Sequence, residues 1–191
     1  MIFLARHGET DDNAAGRVQG YLDSPLNDRG REQARVLAER AAGEGIEALY
    51  ASHLIRAHET ASIVGERLGI EPQVDERFAE SRRGAWEGRL LTEIERDFPE
   101  QWAEWHGAAD GFRFPGGGES IAEHAARVEE GLAEVAGGPL PALVIAHGGS
   151  IRCAFATRDP RGLASFQSLA VPNGELMRLP PPPAHTAREY G

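Results

Sequence analysis

Two short apolar runs end in the same way, each in a histidine, and the two histidines are 140 positions apart. Ile2-Phe3-Leu4-Ala5 leads into Arg6-His7-Gly8, and Leu143-Val144-Ile145-Ala146 leads into His147-Gly148-Gly149. The two runs, 2–5 and 140–146, are too short for helices and are bounded by turn formers, so each reads as a buried strand that delivers a histidine to its carboxyl end. Ligands of open parallel sheets bind beyond the carboxyl ends of the strands, so two histidines placed there can converge although distant in the chain. A glycine after each lets the backbone approach a ligand. Taken singly, a histidine at a strand end is read equally well as a polar terminus; the repetition favours a shared site.

Between these runs the period changes. Ala34, Leu37, Ala38 and Ala41 share one face of a helix over 31–42 that Gly43 ends. Ala57, Ala61, Val64 and Leu68 recur at helical spacing, as do Ile121, Ala125, Val128, Leu132 and Val135. Ser120 and Glu123 stand in capping-box register at the start of the last of these. Segments 46–50 and 73–75 are candidate short strands. Strands alternating with helices of this length predict an α/β fold, with three α/β/α layers around a mainly parallel sheet. In 91–119 the aromatics Phe98, Trp102, Trp105, Phe112 and Phe114 are interrupted by Pro99, Pro115 and the run Gly116-Gly117-Gly118. This pattern predicts a helical excursion and a mobile loop over the site, with the two tryptophans packing it onto the body. Residues 180–191 open with four prolines and read as a Pro-rich tail, leaving 1–179 as a single domain.

Composition limits the partners. A net charge of −10 disfavours nucleic acid and anionic membranes, so an anionic ligand must be held by a local basic cluster. All 20 basic residues are arginine, which removes Schiff-base and P-loop lysines from consideration. The single cysteine, Cys153, allows no intrachain disulfide and no multi-cysteine metal site, and reads as a small buried hydrophobe. A reducing, cytoplasmic setting is the simplest expectation, since the opening apolar run meets Arg6 early and no stretch approaches the roughly 18 apolar residues of a membrane span. His53, His58, His106, His124 and His185 show no metal-ligand spacing and read as surface or helix residues. No metal and no cofactor is expected.

A set of motifs joins the two strand ends. Arg6-His7-Gly8-Glu9-Thr10 with Asn13 is followed by Gln19-Gly20, Asp23-Ser24-Pro25-Leu26, Gly30, Ser52 with Leu54, Arg56-Ala57 and Thr60-Ala61. Glu80 then precedes Gly84 and Trp86-Glu87-Gly88, and Gly117-Gly118-Glu119-Ser120 precedes His147-Gly148-Gly149. In this order, over about residues 1 to 155, the set resembles the histidine phosphatase superfamily, the phosphoglycerate-mutase-like enzymes that use no metal.

The resemblance implies a phosphohistidine intermediate on His7, with Glu80 giving a proton to the departing ester oxygen and then acting as base toward water. It implies phosphate binding by Arg6, Asn13, Gln19, Gly20, Arg56, His147 and Gly148. Physical need agrees, since phosphoryl transfer depends on in-line positioning and on cations aimed at the equatorial oxygens, and the guanidinium fork supplies both. A neutral imidazole can attack phosphorus if its other nitrogen keeps its proton. Glu80 serves as an acid near neutral pH only if its pKa rises from about 4.3, and Arg82 and Arg83 would oppose that rise if they point inward. Glu9 reads as a carboxylate that orients Arg6 or caps a turn.

Within the family, the sugar-acid mutases carry a lysine soon after the Trp-Glu-Gly stretch and a later paired arginine. Here Gly88 is followed by Arg89-Leu90-Leu91, the chain has no lysine, and no Arg-Arg pair lies between Gly88 and His147. The expectation is therefore a phosphomonoester hydrolase acting on a small phosphorylated metabolite, with a phosphoglycerate-type mutase or a non-catalytic phosphate-binding module as the alternatives. The oligomeric state is left open.

Overall fold

The structure is a computed structural model that describes residues 1–107 and 111–182. Five strands form one sheet in the order β3-β2-β4-β1-β5, with β1 Ile2–Arg6, β2 Ala48–Ala51, β3 Gln73–Val74, β4 Ala142–Ala146 and β5 Leu176–Arg178. All neighbours run parallel except β5, which pairs antiparallel with β1. The strands are short, and alternation assigns their two faces. Phe3, Ala5, Leu49, Ala51, Leu143 and Ile145 pack with Leu37, Ala38 and Ala41 of α2 (Asp28–Ala42) and with Ala57, Ala61 and Val64 of α3 (Ile55–Leu68). Leu4, Ala48, Ala142, Val144 and Ala146 meet Val128, Leu132 and Val135 of α6 (Ile121–Gly137) and Ile151 and Ala154 of α7 (Gly148–Ala156). The three-layer α/β/α architecture with a mainly parallel sheet follows.

Element boundaries differ from the periodic reading where side chains or proline decide them. Helix α2 begins at Asp28 rather than Arg31, because the Asn27 side chain accepts from Gly30 N at 2.8 Å and caps it. The β4 ladder starts at Ala142, because Pro141 has no N–H to contribute. Helix α6 carries the capping box of Ser120 and Glu123 as expected.

Segment 91–119 holds α4 (Leu91–Asp97) and α5 (Pro99–Gly107), and residues 108–110 lie outside the described ones. The expected mobile loop is instead fastened down. Ala85 N donates to Pro115 O at 2.8 Å and Glu119 N to Arg82 O at 2.9 Å, while Phe112 and Phe114 are buried. Trp105, Trp86, Phe112, Phe114 and Phe166 form one aromatic cluster, so the packing role of Trp105 holds. Of the tail, only Pro180–Pro182 lie among the described residues, and His185 does not. No helix among the described residues is long and apolar enough to cross a membrane.

Leu143 is fully buried at the centre of the sheet. Leu143→Ala is expected to cost about 2–5 kcal/mol in urea unfolding. Val36→Ala, at a site 43% exposed, should stay within about 0.5 kcal/mol.

Candidate active site

Strand pairing builds the site. Arg6 stands opposite Ala146 in the β1–β4 ladder, and His7 N donates to Ala146 O at 3.0 Å, so the two histidines leave adjacent strand ends together. Their rings lie 5.1 Å apart. Beyond them is a cavity of about 350 Å3 whose wall includes Arg6, His7, Glu9, Asn13, Arg17, Gln19, Gly20, Arg56, Glu80, Arg83, Gly148, Gly149, Arg152 and Asn173. Eight of the nine predicted site residues therefore line one cavity. His147 is not among the wall residues; its ring is tilted 56° to that of His7, with Nε2 paired to Ser52 Oγ at 2.8 Å.

His7 is oriented by its own backbone. Nδ1 donates to Gly8 O at 2.7 Å, which leaves the Nε2 lone pair for the cavity. Burial, then the Arg56 and Arg6 charges, holds its pKa well below the usual histidine range, so the ring is neutral near pH 7. His147 is lowered in the same way by burial and Arg56.

Arg6 and Arg56 are fixed by carbonyls. Arg6 Nη1 donates to Val171 O at 2.9 Å; Arg56 donates through Nη1 to Leu22 O and through Nη2 to Gly20 O, each at 2.8 Å. Burial pulls Arg56 down to about 10, which leaves it charged at neutral pH. Nε of both arginines is buried without a partner, as is His147 Nδ1. Unpartnered buried donors cost about 1–3 kcal/mol each and mark a place built for an acceptor. Arg56 is the second residue of α3, whose Ile55 N–H is held by Asp23 Oδ1 at 3.1 Å. Gln19 Nε2 donates to Thr10 Oγ1 at 2.6 Å and Asn13 Nδ2 to Gln19 Oε1 at 3.2 Å, joining both amides to the capping box of α1 (Asp11–Ala15).

Glu80 sits at the N-terminus of α7. Its carboxylate accepts from Ser81 N at 2.8 Å and Gly149 N at 3.1 Å, and Arg83 Nη2 lies 3.3 Å from Oε1. Burial pushes the acid up, but the Arg83 charge, with the Ser81 N–H bond, outweighs it and holds the pKa well below the carboxylate range. The raised pKa that an acid role asks for is thus absent. Of the two nearby arginines only Arg83 turns inward; Arg82 lies over the Tyr21 ring at 4.3 Å.

Two expectations are corrected. At Gly8 the missing side chain serves chain packing rather than ligand approach, since a Cβ there would meet Gly30 O at 2.2 Å. Gly148, directly after His147, lines the cavity, and a Cβ there would find only the Arg6 guanidinium at 3.8 Å; at the next residue, Gly149, a Cβ would meet Glu80 Oε1 at 2.1 Å. Glu9 does not orient Arg6; it accepts from Asn27 Nδ2 at 3.1 Å, backing the residue that caps α2. Among the described residues of segment 91–119, only Leu91 lies on the cavity wall.

The sequence reading missed several residues. Arg17, Arg83 and Arg152 add three guanidinium groups to the wall. Asn173 Nδ2 donates to His7 O at 2.9 Å. Arg127 donates to the carbonyls of Arg77, Ala79 and Glu80 at 2.7, 2.8 and 3.0 Å, and Ser150 Oγ donates to Ala79 O at 2.9 Å, so the segment that carries Glu80 is tied to α6 and α7. His124, grouped above with surface or helix residues, is on α6 but fully buried, paired to Ser150 Oγ at 3.0 Å and lowered by burial and Arg127 to about 4. None of these stands in a spacing that chemistry alone would single out. Among the described residues, no group of three or more His, Cys, Asp or Glu side chains could hold a metal ion.

Comparison with known proteins agrees with the geometry. The family model of the histidine phosphatase superfamily (branch 1) matches residues 2–187. A probable phosphoglycerate mutase, GpmB, of Serratia proteamaculans is 39% identical over 82% of this chain and 74% of its own. The glucosyl-3-phosphoglycerate phosphatase of Mycobacterium tuberculosis is 37% identical over 88% of this chain and 79% of its own. A solved structure of mycobacterial glucosyl-3-phosphoglycerate phosphatase in complex with VO3 superposes with a TM-score of 0.82 at 34% identity, covering 92% of this chain and 88% of the other.

The three buried neutral histidines make stability depend on pH. His7, His124 and His147 take up protons near pH 6.5 when unfolded but only at much lower pH when folded. Their contribution is present above about pH 6.5 and is lost as pH falls below it, with a slope of up to about 4 kcal/mol per pH unit for three protons. Urea unfolding between pH 5 and 7 should show this slope, and His124→Leu should remove about one proton from it. Stability independent of pH in this window would contradict the assignment of neutral rings.

Proposed function

The chain belongs to branch 1 of the histidine phosphatase superfamily, and on that premise we propose that it hydrolyses phosphate monoesters of small metabolites through a phosphohistidine on His7. The observation that carries this reading is one cavity in which the His7 lone pair, two carbonyl-anchored guanidinium groups and a buried carboxylate meet. Relatives named as phosphatases are named for glucosyl-3-phosphoglycerate and phosphoserine, both small phosphorylated molecules. A charge of −10 with all cavity cations confined to one place supports such a ligand over nucleic acid or membrane, and a single buried cysteine supports a cytoplasmic setting.

Chemistry follows from the contacts. Arg6 and Arg56 hold the equatorial oxygens with their free N–H groups, and Asn13, Gln19, Gly20 and Gly148 complete the phosphoryl pocket. His7 Nε2 forms a bond to phosphorus as the ester P–O bond breaks, and Glu80 gives its proton to the departing alkoxide. The products of this half are the alcohol, ionised Glu80 and a phosphohistidine whose positive ring is steadied by the Gly8 carbonyl on Nδ1. Water then attacks phosphorus and gives its proton to Glu80 while the N–P bond breaks, which restores neutral His7 and releases phosphate. His147, its ring 5.1 Å from that of His7 and its Nδ1 buried without a protein partner, is the second imidazole for the phosphoryl oxygens.

Hydrolysis is favoured over return of the phosphoryl group because the stretch after Gly88, Arg89-Leu90-Leu91, holds no lysine where the resemblance implies that a mutase carries one. The cation in that stretch, Arg89, is engaged elsewhere, its Nη1 on Asp97 at 3.1 Å and its Nε on the Ala85 carbonyl at 3.0 Å, and it does not line the cavity. The filled catalytic positions likewise favour an enzyme over a binding module.

A panel of phosphate esters assayed for released phosphate tests the activity, and Glu80→Gln tests the mechanism. The variant should lose about 10²- to 10⁴-fold on an alkyl phosphate and much less on p-nitrophenyl phosphate, whose phenolate departs unaided. On the aryl ester it should also accumulate an acid-labile, base-stable phosphate on His7, visible by intact mass. Equal losses on both esters with no adduct would assign Glu80 to positioning only.

A further inference from the structure

The cavity holds more cationic groups than a phosphoryl group uses. Water occupies roughly 30 Å3 per molecule in the liquid, and a phosphoryl group compares with a few waters, so about 350 Å3 leaves room for the rest of a small substrate. With Arg6 and Arg56 assigned to the phosphoryl oxygens, Arg17, Arg83 and Arg152 remain on the wall, and Arg17 is engaged by the Gly88 carbonyl and the Asp12 carboxylate. Arg83 and Arg152 each have donors to spare: Arg152 uses Nε on Leu169 O at 3.0 Å, and Arg83 uses Nη2 on Glu80 at 3.3 Å, out of five N–H groups per guanidinium. Both lean on one aromatic cluster. Arg83 lies 4.4 Å from the Phe114 ring centre and 5.4 Å from that of Trp105, and Arg152 lies 5.9 Å from that of Phe166, which itself packs 5.3 Å from Trp105. Stacking on a rigid aromatic wall fixes the two forks where an anion can use them.

We propose that Arg83, with Arg152 beside it, binds a second anionic group on the substrate, and that drawing Arg83 onto this group frees Glu80 to carry the proton it delivers. The proposal rests on the phosphatase reading above and narrows its substrate to small phosphate monoesters with a carboxylate or second phosphate a few atoms from the ester oxygen. The coupling is geometric. Arg83 and Glu80 are three residues apart on one turn, with side chains 13% and 12% exposed, so the guanidinium that reads the anion is the one that keeps the carboxylate ionised. Other groups also surround Glu80: Arg6 from β1, Arg56 from α3, His124 and Arg127 from α6, His147 just after β4 and Arg152 from α7. Among these groups and Arg83, only Arg83 forms an ion pair with the Glu80 carboxylate. An anion arriving there weakens that pair and adds negative charge nearby, and both effects favour the protonated acid.

A homologous three-carbon series tests it, with 3-hydroxypropyl phosphate as the neutral ester, 3-phosphooxypropanoate as the carboxylate and propane-1,3-diyl bisphosphate as the second phosphate. The native enzyme should favour one or both charged esters in kcat/KM by roughly 10- to 100-fold, the worth of one charge-assisted hydrogen-bonding contact, and the arm that gains identifies the anion. In Arg83→Met that ratio should fall toward one. Its kcat/KM profile on the neutral ester should also keep activity to higher pH, since Glu80 loses the cation that ionises it. Arg83→Lys, with the charge but not the fork, should retain part of the ratio. A native enzyme indifferent to the second charge overturns the proposal, even if Arg83→Met fails to fold. So does an Arg83→Met variant that loses activity on all three esters in proportion, with its pH profile unmoved, because that is the signature of a structural role. Absence of phosphate release from every ester, p-nitrophenyl phosphate included, would overturn the phosphatase reading itself.

Discussion

The register of β1 against β4 is the constraint on which the rest of the molecule depends. Parallel neighbours lie about 4.8 Å apart, and pairing Arg6 with Ala146 brings the residues that follow, His7 and His147, to one place. The slip of one residue would turn every strand side chain to the opposite face and exchange the two helical layers' partners. Leu4 and Val144 on one face, and Phe3 and Leu143 on the other, therefore specify the site as much as they specify the core. The chain's close passes follow from the same register. Leaving β1, the backbone at Gly8 runs against Gly30 at the start of α2; leaving β4, it runs beneath the Glu80 carboxylate at Gly149.

Concentrating cations in a chain of net charge −10 raises a second problem, because like charges brought together destabilise one another. Backbone carbonyls solve it. Val171, Gly20, Leu22 and Leu169 accept from Arg6, Arg56 and Arg152, which anchors each guanidinium without neutralising it. Carboxylates in those places would have cancelled the field that an incoming phosphate is to meet. The same positive field, added to burial, keeps His7 neutral and so leaves a lone pair for attack. Binding and nucleophilicity thus have one electrostatic origin.

Much of this was legible in the sequence, and what was not has a physical reason. Apolar runs ending in His-Gly gave the strands and the meeting of the histidines, since strand period and parallel topology are local rules. The capping box at Ser120 located α6 for the same reason. The start of α2 was missed because one side-chain cap at Asn27, not periodicity, sets it. Gly116–Gly118 looked free because composition does not reveal that Pro115 O accepts from Ala85 N. Arg152, Asn173 and His124 were invisible as site residues for a deeper reason: each acts through a neighbour distant in sequence, whereas Arg83, three residues from Glu80, was legible only as a charge beside it. His124 reaches Ser150, and Asn173 reaches the carbonyl of His7.

Segment 91–119 was expected over the site, yet its aromatics reach the chemistry only through Arg83. Trp105 and Phe114 carry that guanidinium on their faces, and Trp86 packs against both, so the cluster sets the angle at which the fork meets Glu80. A change of volume anywhere in a close-packed cluster moves its neighbours. Substitutions in this segment therefore alter two properties together, the affinity for the substrate's second anion and the proton affinity of the acid. With one guanidinium serving both, a variant cannot loosen its grip on the anion without also relaxing its hold on Glu80. Selectivity and acid strength are bound to evolve as one trait here, through residues that never touch the substrate.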